Sequence, residues 1–212
     1  IDLGLNLLHP SLNLLRVSRA FNDRGIFLVD IDLLRPSEVG NLYAFELYPE
    51  VPRLLARLVL MGGAYGVTPY GKGNRTPHAE FNIWQDPEAA HTVFNSGANI
   101  FAVGLDVTMA PAACLNRGHL EQINAGHTPA ARLAAQLVEY GVRHRGCCRI
   151  HDPLALATLL DVSLLDFALA KVEVVGGNGW DRGVTRVLPS DSSRLIHVAC
   201  AVDGPRFLGL FL

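Results

Sequence analysis

The apolar positions of this chain fall into short runs set between stretches of helical periodicity. Residues 26–30 read as a strand, and residues 41–60 as a helix passing into a strand over 57–61. Gly62-Gly63 marks a turn at that strand's end, a helix over 87–96 follows, and residues 100–108 form the next strand. Residues 129–144 carry the pattern of a long amphipathic helix with Leu133, Leu137 and Val138 facing inward, and residues 152–160 predict a second helix. Strands over 171–175, 183–188 and 195–202 close the chain. This βαβ alternation predicts an α/β fold, an open and mainly parallel sheet flanked by helices, with ligands beyond the carboxyl ends of the strands.

One interruption of the pattern is dense in polar groups. Residues 73–90, GNRTPHAEFNIWQDPEAA, place Asn74, Glu80 and Asn82 on a loop that feeds a helix start, with Asp86 as N-cap and Pro87 at the first helical position. If Glu80-Phe81-Asn82 is extended, Glu80 and Asn82 share one face while Phe81 and Ile83 point into the core. A carboxylate accepts and a carboxamide both accepts and donates, so the trio suits a vicinal diol such as ribose hydroxyls. The same three side chains serve equally well as caps for backbone groups of a long loop.

Composition narrows the class. In 212 residues, half apolar, 18 basic side chains stand against 20 acidic ones. A near-neutral chain with no basic stripe argues against a nucleic-acid partner. Arg143, His144, Arg145 and Arg149 are the one basic cluster, and they read as a solvated helix end. No apolar run is long enough to cross a membrane, and residues 1–15 do not read as a signal peptide. Cys114, Cys147, Cys148 and Cys200 have neither metal-site spacing nor a disulfide-framework pattern, which points to a reducing, cytoplasmic setting. The length predicts one large domain.

Two further motifs bear on the chemistry. Gly62-Gly63-Ala64-Tyr65-Gly66 reads as a strand-exit turn rather than a phosphate cradle, since it lacks a Walker lysine and the G-x-G-x-x-G pattern. His151-Asp152-Pro153 could display a histidine and a metal-binding aspartate into a cleft, and it is equally an ordinary helix start. His119, His127 and His144 lack ligand spacing and are expected at the surface.

Taken in order, Leu60-Met61-Gly62-Gly63-Ala64, Gly73-Asn74, Thr76-Pro77, Ala79-Glu80-Phe81-Asn82, Asp86-Pro87-Glu88-Ala89-Ala90, Gly104-Leu105-Asp106-Val107-Thr108 and His151-Asp152 closely resemble the inosine-uridine preferring nucleoside hydrolase family. The resemblance covers residues 41–212 and implies a Rossmann-like core that hydrolyses the N-glycosidic bond of a ribonucleoside to ribose and free base, with bound Ca2+. It implies that Met61, Asn74, Glu80 and Asn82 bind ribose. It further implies that Asp152 ligates calcium and touches ribose, and that His151 helps protonate the departing base. Members of the family are commonly homo-oligomers. The family's N-terminal aspartate motif, D-x-D-P-G-x-D-D, has no counterpart here; the nearest string, Asp30-Ile31-Asp32, stands too close to Met61. Residues 1–40 match nothing familiar, so the expectation is an N-terminally incomplete hydrolase, weak or inactive. The alternative is a non-catalytic ribose or nucleoside binder, or a subunit that takes its aspartate cluster from a partner.

Overall fold

The structure is a computed structural model, and it describes residues 20–22, 25–30, 45, 49–189 and 194–212. Most of the atypical segment 1–40, Asp32 and residues 41–44 therefore lie outside the described residues. In chain order the strands are β1 (Ala20–Asn22), β2 (Gly25–Asp30), β3 (Leu55–Met61), β4 (Ile100–Val103), β5 (Cys114–Leu115), β6 (Cys148–Arg149), β7 (Leu165–Val174), β8 (Thr185–Leu188) and β9 (Ile196–Val202). The helices are α1 (Val51–Leu54), α2 (Phe81–Gln85), α3 (Pro87–Phe94), α4 (Leu105–Thr108), α5 (Arg117–Ala125), α6 (Pro129–Arg145), α7 (His151–Leu160) and α8 (Gly204–Phe211).

The main sheet runs β1-β2-β3-β4-β9-β7-β8. Its centre, β2-β3-β4-β9, is parallel, and antiparallel partners flank it: β1 on one margin, β7 and β8 on the other. Alternation along the central strands gives the sheet two cores. Val59, Met61, Phe101 and Val103 face one side, where α7 supplies Leu154 and Ala155. Leu58, Leu60, Ile100 and Ala102 face the other, where α3 supplies Ala90, Val93 and Phe94. Both faces are covered, as a parallel sheet requires.

Three expectations are corrected. The strand expected over 100–108 ends at Val103, because the Leu105 N–H donates to the Gly63 carbonyl at 2.9 Å and the chain turns into α4. On α6, Leu133 and Leu137 are exposed, and the buried stripe is Ala135, Val138 and Gly141. The reason is close approach: a Cβ at Gly141 would stand 2.8 Å from the Cys148 Cβ, so α6 lies so near β6 that small residues make the contact. Third, Phe81 opens α2 instead of extending the loop, and it is exposed while Ile83 is fully buried.

Candidate functional site

The site lies beyond the carboxyl ends of β3 and β4, where two loops must turn in little space. Gly63 takes a φ of +87°, a left-handed conformation that glycine adopts without strain, and its N–H donates to Glu80 Oε2 at 3.2 Å. Glu80 is also the N-cap of α2, accepting from Asn82 N at 2.8 Å and Ile83 N at 3.1 Å. One carboxylate, 2% exposed, thus ties the exit of β3 to the start of a helix 17 residues on. Burial pushes its carboxyl up from the ordinary value, the three N–H groups pull it back, and the charge of Asp152 adds to the rise.

Asn74 and Asn82 flank this carboxylate. Asn74 Oδ1 accepts from Phe81 N at 2.7 Å, which leaves its NH2 to donate. Asn82 Nδ2 donates to the Met61 carbonyl at 3.4 Å and lies 3.6 Å from Met61 Sδ, which leaves its amide oxygen to accept. The wall therefore offers a donor, an acceptor and the remaining lone pairs of Glu80, a set that complements adjacent hydroxyls. The ligand and capping readings of these residues turn out to be compatible, since each spends only part of its capacity on the backbone.

Support for this wall comes from residues remote in sequence. Arg182 Nε and Nη2 donate to the Trp84 and Gln85 carbonyls at 3.0 Å each, closing the end of α2. Thr185 Oγ1 bonds both N–H and C=O of Ala64 at 3.0 Å. Asp106 is 1% exposed and accepts from Tyr65 N, Val67 N and Thr68 N at 2.8, 2.8 and 3.1 Å, shaping the loop that leads toward Asn74.

The opposite wall begins at the β5-β6 ribbon. Cys114 pairs in register with Arg149, and a Cys114–Cys147 disulfide braces the same junction. This overturns the expectation of no disulfide for Cys114 and Cys147, while Cys148 and Cys200 are free thiols. Disulfides persist in oxidising compartments, so the expectation of a reducing setting loses its support. From β6 the chain enters α7, which carries His151 and Asp152 in its first turn. His151 Nδ1 lies 2.7 Å from Thr108 Oγ1, at the end of α4. Burial, and then the charge of Arg149, holds its imidazole below the usual histidine range.

Between the walls is a cavity of about 430 Å3, within the usual range for a small-molecule site. Met61, Asn74, Glu80 and Asn82, from the loop after β3 and the start of α2, line it together with His151 and Asp152 from the start of α7. All six residues singled out in the sequence meet here. Arg149 lines it too, and so does not belong to the solvated helix end with Arg143 and Arg145. Its signal was present in the sequence: it stands two positions before His151 in a segment too short for helical periodicity. Of the histidines expected at the surface, His127 and His144 are exposed, while His119 is half-buried in a capping box with Asn116. Among the described residues, no three His, Cys, Asp or Glu side chains stand close enough to hold a metal ion, and no helix is long and apolar enough to cross a membrane.

A family model described as inosine-uridine preferring nucleoside hydrolase matches residues 41–209. The pyrimidine-specific ribonucleoside hydrolase RihA of Citrobacter koseri is 35% identical over 147 residues, 66% of this chain and 45% of that protein. Its namesake in a Shewanella species is 41% identical over 126 residues, 56% of this chain and 37% of that one. Among solved structures, a purine-preferring ribonucleoside hydrolase from Gardnerella vaginalis matches with a TM-score of 0.75 at 31% identity, covering 87% of this chain and 58% of that one. A plant nucleoside hydrolase matches with a TM-score of 0.73 at 27% identity, covering 87% and 60%. The chain spans less than half the length of these curated relatives.

Proposed function

Because the chain belongs to the inosine-uridine preferring nucleoside hydrolase family, we propose that its cavity binds a ribonucleoside by the ribose and that the chain cleaves the N-glycosidic bond to ribose and free base. One observation carries this reading: Asn74, Glu80 and Asn82 line one cavity together with His151 and Asp152. Cleavage builds positive charge on the sugar as the C1′–N bond lengthens. Glu80 is suited to stabilise it, because three N–H bonds favour its ionised form in a dry setting where charge acts strongly. With Nδ1 engaged by Thr108, Nε2 is the nitrogen His151 has left to meet a departing base.

Calcium, implied with Asp152 by the family, would supply Lewis-acid activation of water. It normally gathers six to eight oxygens. The described cavity offers the carboxylates of Asp152 and Glu80, the latter already occupied by three N–H groups. These side chains do not by themselves fit a calcium shell.

That shortfall favours a second reading, a ribose or nucleoside binder, or a subunit completed by a partner's acidic cluster. Release of free base from uridine and inosine, with calcium and with chelator, beside Asp152→Ala, separates the two. Release that is lost in Asp152→Ala supports the hydrolase and directs the search for the general base to Asp30 and Asp32. Tight ribose binding without release from a cooperatively folded chain sinks the hydrolase and leaves the binder.

A further inference from the structure

The cavity is chemically divided. Its Asn74-Glu80-Asn82 wall is rich in acceptors and carries no cation, whereas the facing wall brings Arg149 beside His151. Arg149 is the one arginine or lysine lining it among the described residues. A guanidinium carries five N–H donors and no acceptor, so it has to be matched by acceptor atoms. Here Nε is buried and has no hydrogen-bond partner among the described residues. The position is also held firmly, since Arg149 pairs with Cys114 across the β5-β6 ribbon, and the Cys114–Cys147 disulfide closes the same junction. A side chain on so constrained a backbone is placed to select a ligand.

We infer that Arg149 is a specificity-determining residue that reads a carbonyl oxygen on the base of the bound nucleoside. The inference rests on the ribose assignment of the preceding subsection: with the sugar on the Asn74-Glu80-Asn82 wall, the base falls against Arg149 and His151. A 6-oxopurine presents a carbonyl oxygen and a ring nitrogen side by side, the pair that an arginine fork meets most often when it reads guanine. Uracil likewise offers carbonyl acceptors. Adenine presents an amino group at the corresponding place, and donor then faces donor. When the C1′–N bond breaks, its electron pair passes to the base and the charge spreads onto the carbonyl oxygen. A water oxygen bonds to C1′, and the proton it sheds balances the one the base takes up. The Arg149 contact is therefore stronger at the transition state than with intact substrate, the condition for it to aid the reaction as well as binding.

The test is equilibrium titration of the full chain with ribose, inosine and adenosine in chelator, which withholds the calcium that turnover would use, for the native protein, Arg149→Gln and Arg149→Lys. Native protein is expected to bind inosine about tenfold or more tightly than adenosine. Arg149→Gln brings the ratio to within about twofold by weakening inosine, and leaves ribose affinity unchanged. Arg149→Lys keeps the charge and loses the fork, so it retains only part of the preference. A base ratio that survives Arg149→Gln, or a native ratio near one while ribose still binds, overturns the role of Arg149 and leaves the ribose pocket standing. Failure of ribose and both nucleosides to bind a cooperatively unfolding chain overturns the pocket itself, and this inference with it.

Discussion

At the scale of single residues, the site is organised by buried carboxylates that act on the backbone before they meet any ligand. Asp106 gives Oδ1 to two N–H groups and Oδ2 to a third. An asparagine there has one acceptor oxygen, so at least one N–H is left facing an NH2. Asp106→Asn is expected to cost about 1–3 kcal/mol, seen as a lower urea midpoint; an unchanged midpoint would refute the account. Glu80 makes a pH-dependent contribution whose sign follows from its raised carboxyl. The folded chain takes up this proton at a higher pH than the unfolded chain does. The stability it contributes is therefore full below the ordinary carboxyl value of 4.5 and is lost as pH rises through the folded value. Unfolding free energy should decline across that window in native protein and stay flatter in Glu80→Gln. The identity of both residues was legible in the sequence. The capping of Asn82 and Ile83 by Glu80 is the local use its position already offered, whereas the bonds to Gly63 and from Tyr65 to Asp106 were not legible, because partners 17 to 41 residues away leave no local pattern.

At the scale of elements, the periodic segments beyond residue 129 were readable, whereas the helix expected over 41–60 gives way to α1 at 51–54 and β3 from Leu55, and the short elements were not legible. Helices expected over 129–144 and 152–160 are observed as α6 and α7 within a residue at each end. α2 has five residues, too few for a period, so Glu80-Phe81-Asn82 read as extended. The inward face of α6 was misread for a related reason: leucine marks an apolar stripe, whereas close packing against β6 selects alanine and glycine. Short elements depend on remote clamps, and α2 has one in Arg182, which also donates to the Gly177 carbonyl at 2.8 Å. Arg182→Ala removes acceptors' partners at Trp84 and Gln85 while touching nothing in the cavity. It should loosen Asn82 and weaken ribose binding about fivefold or more, with Arg182→Lys failing to restore it because an ammonium cannot span three carbonyls in a fork. Ribose affinity equal to native in both variants would show that α2 holds itself.

At the scale of the whole molecule, the two walls come from segments far apart in sequence, 61–85 and 149–153, joined only because β3 and β4 lie side by side and α7 packs behind them. The order of motifs along the chain pointed to this arrangement through family resemblance; the meeting of Asn74, Glu80 and Asn82 with Arg149, His151 and Asp152 emerged only in three dimensions. Ribose recognition and metal recognition can then be separated. The acceptors and donors assigned to ribose belong to a wall braced by Gly63, Arg182 and Thr185, none of which needs an ion. Calcium, by contrast, requires more oxygens than the described carboxylates provide. Ribose is accordingly expected to bind with the same affinity, within about twofold, in chelator and in millimolar calcium, as titration calorimetry would read directly. A gain of about tenfold or more with calcium would mean that acidic residues beyond the described set complete the shell, and the hydrolase reading would then be favoured over the binder.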